Sequence, residues 1–203
     1  MTGSAAPAPG EEPILAELAE SGLFVRSLAD LRTSGIKYRA VIPVLLHWLG
    51  VVENPRAKGE IVRALSVPWA KPAATKPLID QFRLISKSVD PTGLCLRWAI
   101  GNALHAVFDD AWFDELANLS TDRHFGRARE MVVLGLGKLK RPEAVDVLLS
   151  LVDDPDVDGH AVKALGRLKT LRARAAFQAK LDDKRTWVRN EARRALAKLP
   201  IEP

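Results

Sequence analysis

The chain has 203 residues, 47% hydrophobic and only 6% aromatic, enough for a substantial core packed through small side chains. One cysteine, Cys95, excludes an internal disulfide and a cysteine metal cluster. No apolar run approaches a membrane span and the N-terminus lacks the basic and apolar regions of a secretory signal, so a cytoplasmic protein is expected, with Cys95 a small buried hydrophobe.

The net charge of +5 is unevenly spread. Arg123–Lys198 holds 18 Lys and Arg against 10 Asp and Glu, whereas Met1–Asp122 holds 12 against 14. A basic half suits an acidic protein, a nucleic acid or an anionic surface. Solvated helix faces account for the same balance with no partner at all.

In chain order, Met1–Gly10 is small, aperiodic and rich in Pro and Gly, and is expected to be a disordered tail. From Glu11, EEPILAELAESG predicts a short helix with Pro13 in its first turn and Gly22 at its end. A second short helix is expected over Val25–Arg32. This irregular pair, 11–37, is expected to cap an array that spans 38–200.

The first clear pair is Val41–Leu49 and Ala57–Val67, broken at Gly50 and Asn54-Pro55. The next is Ala73–Ser86 and Thr92–Phe108, with Asp90 or Thr92 placed to cap the second helix. Ala111–Leu119 pairs with Arg127–Leu139 across Ser120-Thr121-Asp122. A helix from Arg141-Pro142 through Leu151 pairs with Val157–Lys169, and Leu171–Leu181 with the helix inside Asp182–Leu199. Pro200 and Pro203 stop the series, with Ile201 placed to fold back. No segment alternates as a strand would.

Asp182–Leu199 is the clearest statement of a repeat. Val188, Ala192, Ala195, Leu196 and Leu199 fall on one helical stripe. Its Ala195-Leu196 pair aligns with Ala164-Leu165, Gly135-Leu136, Ala103-Leu104 and Ala64-Leu65, whose leucines are separated by 31, 29, 32 and 39 residues. That period belongs to a helix pair. The expected fold is all-α, an α-solenoid of about five to six antiparallel helix pairs.

Aspartates in a turn, an apolar-Arg pair and a small-rich helix ending in Ala-Leu resemble the short HEAT-like repeat. Asp182-Asp183, Val188-Arg189 and Ala195-Leu196 match best, followed by Asp153-Asp154 with Ala164-Leu165. Asp158 departs from the pattern by standing where the repeat favours Arg. The resemblance implies that second helices line a concave binding side. It is consistent with scaffolds, binding platforms, bilin-lyase subunits and alkylpurine DNA glycosylases, so it does not choose an activity.

On that side, helical geometry turns Asn190, Arg193 and Arg194 away from the core. The column of Arg194 reads Arg63, Asn102, Leu134, Lys163, Arg194, and that of Ala197 reads Ser66, His105, Gly137, Gly166, Ala197. The column Lys58, Arg97, Arg129, Asp158, Arg189 is expected to join units through turn carboxylates such as Asp122 and Asp183. Arg63, Lys163 and Arg194 face no evident carboxylate ladder and are the candidates to attract an acidic partner. Trp98, aligned with Asn190, stands beside Asn102 and His105 as an apolar anchor or a base-stacking platform, with core packing as the bland alternative.

No catalytic constellation is found. His47, His105, His124 and His160 lie in different units without metal-ligand spacing, and neither a metal nor a cofactor is expected. GLGKLK at Gly135–Lys140 lacks the full phosphate-loop pattern and a preceding strand, so its glycines read as close helix contacts. A glycosylase needs a carboxylate flanked by aromatics. Glu130 and Asp158 occupy suitable columns, yet Trp98 and Trp187 belong to other units. The sequence therefore favours a non-catalytic protein or peptide binder with no membrane association, and nucleic-acid binding, including a glycosylase role, as the alternative. It does not give the oligomeric state.

Overall fold

The computed structural model describes residues 6–139 and 141–200. The first five residues of the expected tail, Lys140, Ile201 and Pro203 lie outside the described residues. Among those described there is no strand, and twelve α-helices form six consecutive pairs. This is the expected all-α architecture. By contacts the chain divides into two compact units, one up to Asp109 and one from Asp110.

In the first unit, α1 (Glu12–Glu20) and α2 (Leu28–Thr33) are followed by α3 (Ile42–Val51) with α4 (Pro55–Leu65), and α5 (Thr75–Leu84) with α6 (Leu96–Ala106). Helix α3 packs on α4 and α5 on α6, while α1 packs on α3 and α2 on α4. Ile14, Leu18, Leu28 and Leu31 are fully buried in that layer. Its joints are polar and specific. The Glu11 carboxylate accepts from Leu28 N at 3.0 Å, and Trp48 Nε1 donates to Glu17 at 2.7 Å. Gly10, at φ +90°, turns the chain against Asn54 at the start of α4, so residues 8–10 are a defined turn.

The second unit contains α7 (Phe113–Thr121) with α8 (Glu130–Leu136), α9 (Pro142–Ser150) with α10 (Asp158–Leu168), and α11 (Arg174–Ala179) with α12 (Thr186–Leu196). The second helices stack, α8 on α10 and α10 on α12. Small residues set their spacing. A Cβ on Gly137 would lie 2.7 Å from the Cα and O of Ala164, and one on Gly166 would lie 3.0 Å from the Ala195 Cβ. Gly137 of GLGKLK is thus a close helix contact, as expected. On α12, Val188, Ala192 and Ala195 are buried, while Leu196 and Leu199 are only half-buried.

Several helices start later than periodicity predicts, among them α2, at Leu28 rather than Val25. Gly93 sits at φ +68° and Cys95 at ψ −93°, so α6 begins at Leu96 rather than Thr92. Asp90 then caps it, accepting from Cys95 N and, at 2.9 Å, from Arg97 N. Gly126, at φ +50°, kinks a 3₁₀ stretch over Arg123–Arg129 that takes up the expected start at Arg127, so α8 begins only at Glu130. Cys95 is exposed, not buried, because it sits at the N-cap of α6 rather than on its inner face.

Candidate functional site

The column expected to join units does so in the second unit, with different partners. Arg129 has a fully buried side chain. Its Nη1 donates to Ser120 O and to Asp154 Oδ2, both at 3.0 Å, and its Nε to Gly126 O at 2.8 Å. Asp156 lies 3.5 Å from Nη2. Asp122, the expected partner, instead accepts from His124 N within its own turn. Arg129, immediately before α8, therefore grips the turn of the next pair. Burial alone would raise the Asp154 carboxyl, but the Arg129 hydrogen bond, with help from Asp156 N and Arg123, holds it below the usual carboxylate range.

One repeat on, the polarity is reversed. Asp158 Oδ2 receives Lys180 Nζ at 2.8 Å and Arg185 Nη2 at 2.5 Å, both from the next pair. Burial opposes ionisation of Asp158 and the two cations restore it, so its pKa is lowered. Arg185 also binds Asp183, whose carboxyl it drives far below the normal range. The departure from the repeat pattern at Asp158 is therefore a charge-swapped joint. Arg189 donates to the carbonyls of Asp183 and Lys184 rather than to the Asp183 carboxylate. In the first unit, Arg97 bonds the carbonyls of Phe82 and Ile85, and Lys58 donates to Gln81.

These joints form one wall of a groove of about 1070 Å³ in the second unit, lined by α8, α10 and the start of α12. Met131 and Leu134 give its lining apolar surface, and Arg127, Glu130, Lys163, Lys184 and Trp187 add charge and an aromatic ring. Trp187 is 42% exposed. Its indole lies over Gly159, where a Cβ would meet Cζ2 at 2.7 Å, and its centroid is 5.4 Å from that of His160. Glycine at 159 is what allows the ring to lie flat in the groove. Burial lowers the His160 pKa, Glu130 acts against that shift, and Lys163 and Arg127 add to it, so the imidazole is held towards its neutral form. Glu130 is engaged by Arg127 at 2.9 Å.

Beside this groove, sharing Lys163 with it, is a smaller hollow of about 250 Å³ between α10 and α12. Lys163, Arg167, Lys169, Arg194 and Lys198 line it over a floor of Gly166 and Ala195, with Glu191 as its single carboxylate. Lys163 lies 3.7 Å and Arg194 3.4 Å from Glu191. Both thus have a carboxylate neighbour that repeat alignment does not reveal: Glu191 is on α12 itself, one helical turn from Arg194. Arg193 donates to Asn190 at 3.2 Å. Arg193 and Asn190 are both exposed.

The remaining sequence candidates belong to the first unit. Arg63 is exposed and binds Glu60 at 2.7 Å, again a carboxylate on its own helix. Trp98 is 38% exposed and, with Leu94, Val89 and Arg63, lines a separate groove of about 560 Å³. Asn102 is half-buried, and its amide donates to Trp98 O at 3.1 Å, one turn back in α6. His105 is also half-buried.

Sequence columns miss the meeting of Trp187, His160, Glu130 and Lys163. The signal for it is Gly159, a glycine in the first turn of α10 where the start of a helix does not by itself call for one. Among the described residues, no group of His, Cys, Asp and Glu could hold a metal ion, and no helix is long and apolar enough to cross a membrane.

Stacked helix pairs within each unit, joined in the second by charged turns, define a helical-repeat protein. Residues 128–154, which hold α8, α9 and the Asp154 turn, match the model of the PBS lyase HEAT-like repeat. The chain therefore carries a HEAT-like repeat where Arg129 meets Asp154. No curated protein matches the chain significantly.

Proposed function

We propose that the protein is a non-catalytic binding module that takes an acidic protein or peptide segment along α10 and α12 of the second unit. The observation that carries this reading is the hollow with five Lys and Arg around one carboxylate, continuous through Lys163 with the groove that exposes Trp187. Acidic side chains of the partner would lie over Lys163, Arg194, Lys169 and Lys198. An apolar residue would enter beside Trp187, Met131 and Leu134. Exposed aromatic anchors next to cationic rims are how such surfaces obtain affinity together with orientation. A soluble, cytoplasmic setting belongs to this proposal, with Arg63 and Trp98 offering a second contact region in the first unit.

The joint carboxylates weigh against catalysis. Asp158 and Asp183 are tied to Lys180 and Arg185, and Glu130 to Arg127. Trp187 does lie in the same groove as Glu130, which the alkylpurine glycosylase alternative requires, so nucleic acid is the competing ligand to test.

Affinity capture from the native host, with the wild-type chain and with Lys163→Gln/Arg194→Gln and Trp187→Ala as baits, tests the proposal. An acidic protein recovered by the wild type and lost from both variants, with helicity unchanged, is expected. Retention of that protein by both variants refutes the assignment. Duplex or single-stranded DNA that binds with a steep salt dependence, and competes with the protein, transfers the groove to nucleic acid.

A further inference from the structure

A second, smaller cleft lies in the first unit, where the last turn of α2 and the turn that follows it meet the end of α4. Its volume is about 380 Å³, and its walls include Arg32, Ile36, Tyr38, Arg63, Val67 and Trp69. We propose that it binds a carboxylate carried on an apolar group.

The hydrogen-bond balance sets the sign of the ligand. Helix C-termini ordinarily favour a cation, through their unpaired carbonyls. At the end of α4 those carbonyls are already used, and so are Asp30 O and Leu31 O of α2. Leu31 O accepts from Ser34 Oγ at 2.8 Å, and Val62 O from Ser66 Oγ at 3.1 Å. Arg63 O and Leu65 O accept from Ser66 N and Val67 N at 3.1 and 2.8 Å. Ala64 O accepts from the Tyr38 hydroxyl at 2.8 Å. Burial raises the Tyr38 pKa, which keeps that hydroxyl a donor.

What remains is donors. Arg32 and Arg63 each give one hydrogen bond, at 3.2 and 2.7 Å, to opposite oxygens of the single carboxylate Glu60. Each guanidinium carries five N–H groups in a fork that fits a carboxylate, so most remain to be used. Two cations on one anion leave a net positive charge. Trp69 Nε1, packed edge-on to Tyr38 at 5.8 Å between ring centroids, is buried with no hydrogen-bond partner among the described residues. That is a desolvated donor whose cost an incoming acceptor would relieve. Because Nε1 has no exposed surface, the ring must turn outward to reach it.

The rest of the wall selects the ligand's other half. Ile36 is 52% exposed and Val67 lies beside it, so an aliphatic or aromatic group on the ligand would cover them. A phosphate dianion would leave that surface bare and would meet Glu60 between the two guanidinium groups. A carboxylate beside an apolar group is the chemistry of a peptide C-terminus ending in an apolar residue, or of a free small carboxylic acid.

Nuclear magnetic resonance of the ¹⁵N-labelled full chain tests this through its five tryptophan indole N–H signals. Trp69→Phe identifies the signal of interest. Titration with N-acetyl-leucine should move it saturably while the Trp187 signal, in the other unit's groove, stays fixed. N-acetyl-leucinamide, which keeps the side chain and removes the charge, should bind at least about tenfold more weakly. Arg63→Gln and Arg32→Gln should each weaken N-acetyl-leucine to a similar degree, with helicity unchanged. Tighter binding of a tripeptide of glycine extended by a C-terminal leucine would support a protein C-terminus as the source, and equal binding would support a small acid. Equal shifts with acid and amide, a saturable response to inorganic phosphate in preference to the acid, or no saturable shift with any probe overturns the proposal. Failure here leaves the second-unit reading intact, because the two use different residues.

Discussion

Replacing Arg129 by Met should destabilise the second unit more than the loss of any other single polar side chain in it. The side chain is fully buried and gives three hydrogen bonds, to Ser120 O, Gly126 O and Asp154. Its loss leaves Asp154, only 1% exposed, as a buried charge, and leaves Ser120 O and Gly126 O short of a donor. Breaking a buried pair by removing one partner costs about 3–5 kcal/mol. The outer Arg123, 3.5 Å from Asp154, moderates this but is three-quarters exposed and screened. With a urea m-value near ~2.5 kcal/mol/M, a loss of about 4 kcal/mol lowers the unfolding midpoint by about 1.5 M. Equilibrium urea unfolding followed by circular dichroism at 222 nm reads this directly.

The same experiment has an internal control. Arg129→Met with Asp154→Leu removes both charges and should recover half or more of the loss, since an apolar pair of similar volume is often tolerated. Acid sensitivity should change as well. The folded pKa of Asp154 is depressed, so its stabilisation is present above the unfolded value near ~3.9 and is lost as pH falls through the folded value. In Arg129→Met that part of the acid slope should vanish. A midpoint shift under about 0.4 M, close to ~1 kcal/mol, would refute the claim that this arginine holds the joint.

Gly137→Ala should cost about 1–3 kcal/mol, because its Cβ meets the backbone of Ala164 and α8 must move away from α10; urea midpoints check it. Gly159→Ala meets mainly the Trp187 ring, which can swing outward, so its stability cost should be smaller while the Trp187 fluorescence shifts to longer wavelength. The His160 pKa is lowered by burial, so stability should fall as pH drops below the unfolded value of about 6.5 and level off beneath the folded one. His160→Gln should flatten that window, whose charged surroundings are Glu130, Lys163, Arg127 and Asp158, in unfolding midpoints measured across it. Asp90→Ala should cost about 1–2 kcal/mol by uncapping α6, with faster amide exchange at Cys95 and Arg97 as its local signature.

The helices are legible in the sequence because their signal is periodic. Ala195-Leu196 and its earlier copies sit where small and large side chains must alternate at helix contacts, and the structure places α4, α6, α8, α10 and α12 around them. Helix starts are less legible, since Gly93 and Gly126 adopt left-handed backbone that periodicity does not register. The exposed columns are harder still. Glu60 and Glu191 engage Arg63, Lys163 and Arg194, contacts that depend on side-chain reach along and between helices rather than on repeat alignment. Trp187 enters the groove because it crosses to the neighbouring repeat over Gly159, and an alignment within columns cannot show a crossing.

The charge reversal at Asp158 also bears on how such a chain can be rearranged. The α8 repeat presents a cation to a turn that supplies Asp154 and Asp156, and the α10 repeat presents an anion to a turn that supplies Lys180 and Arg185. The two connections are keyed oppositely, like plugs of different gender. Excising Pro142–Leu168 would set buried Arg129 against a turn that carries Lys180 and whose Asp183 is already held by Arg185, and duplicating that segment would set Asp158 against Asp154. Repeat order in this unit is thus written into its joints, and any shuffled or lengthened version must recode residue 129 or 158 together with the turn that follows.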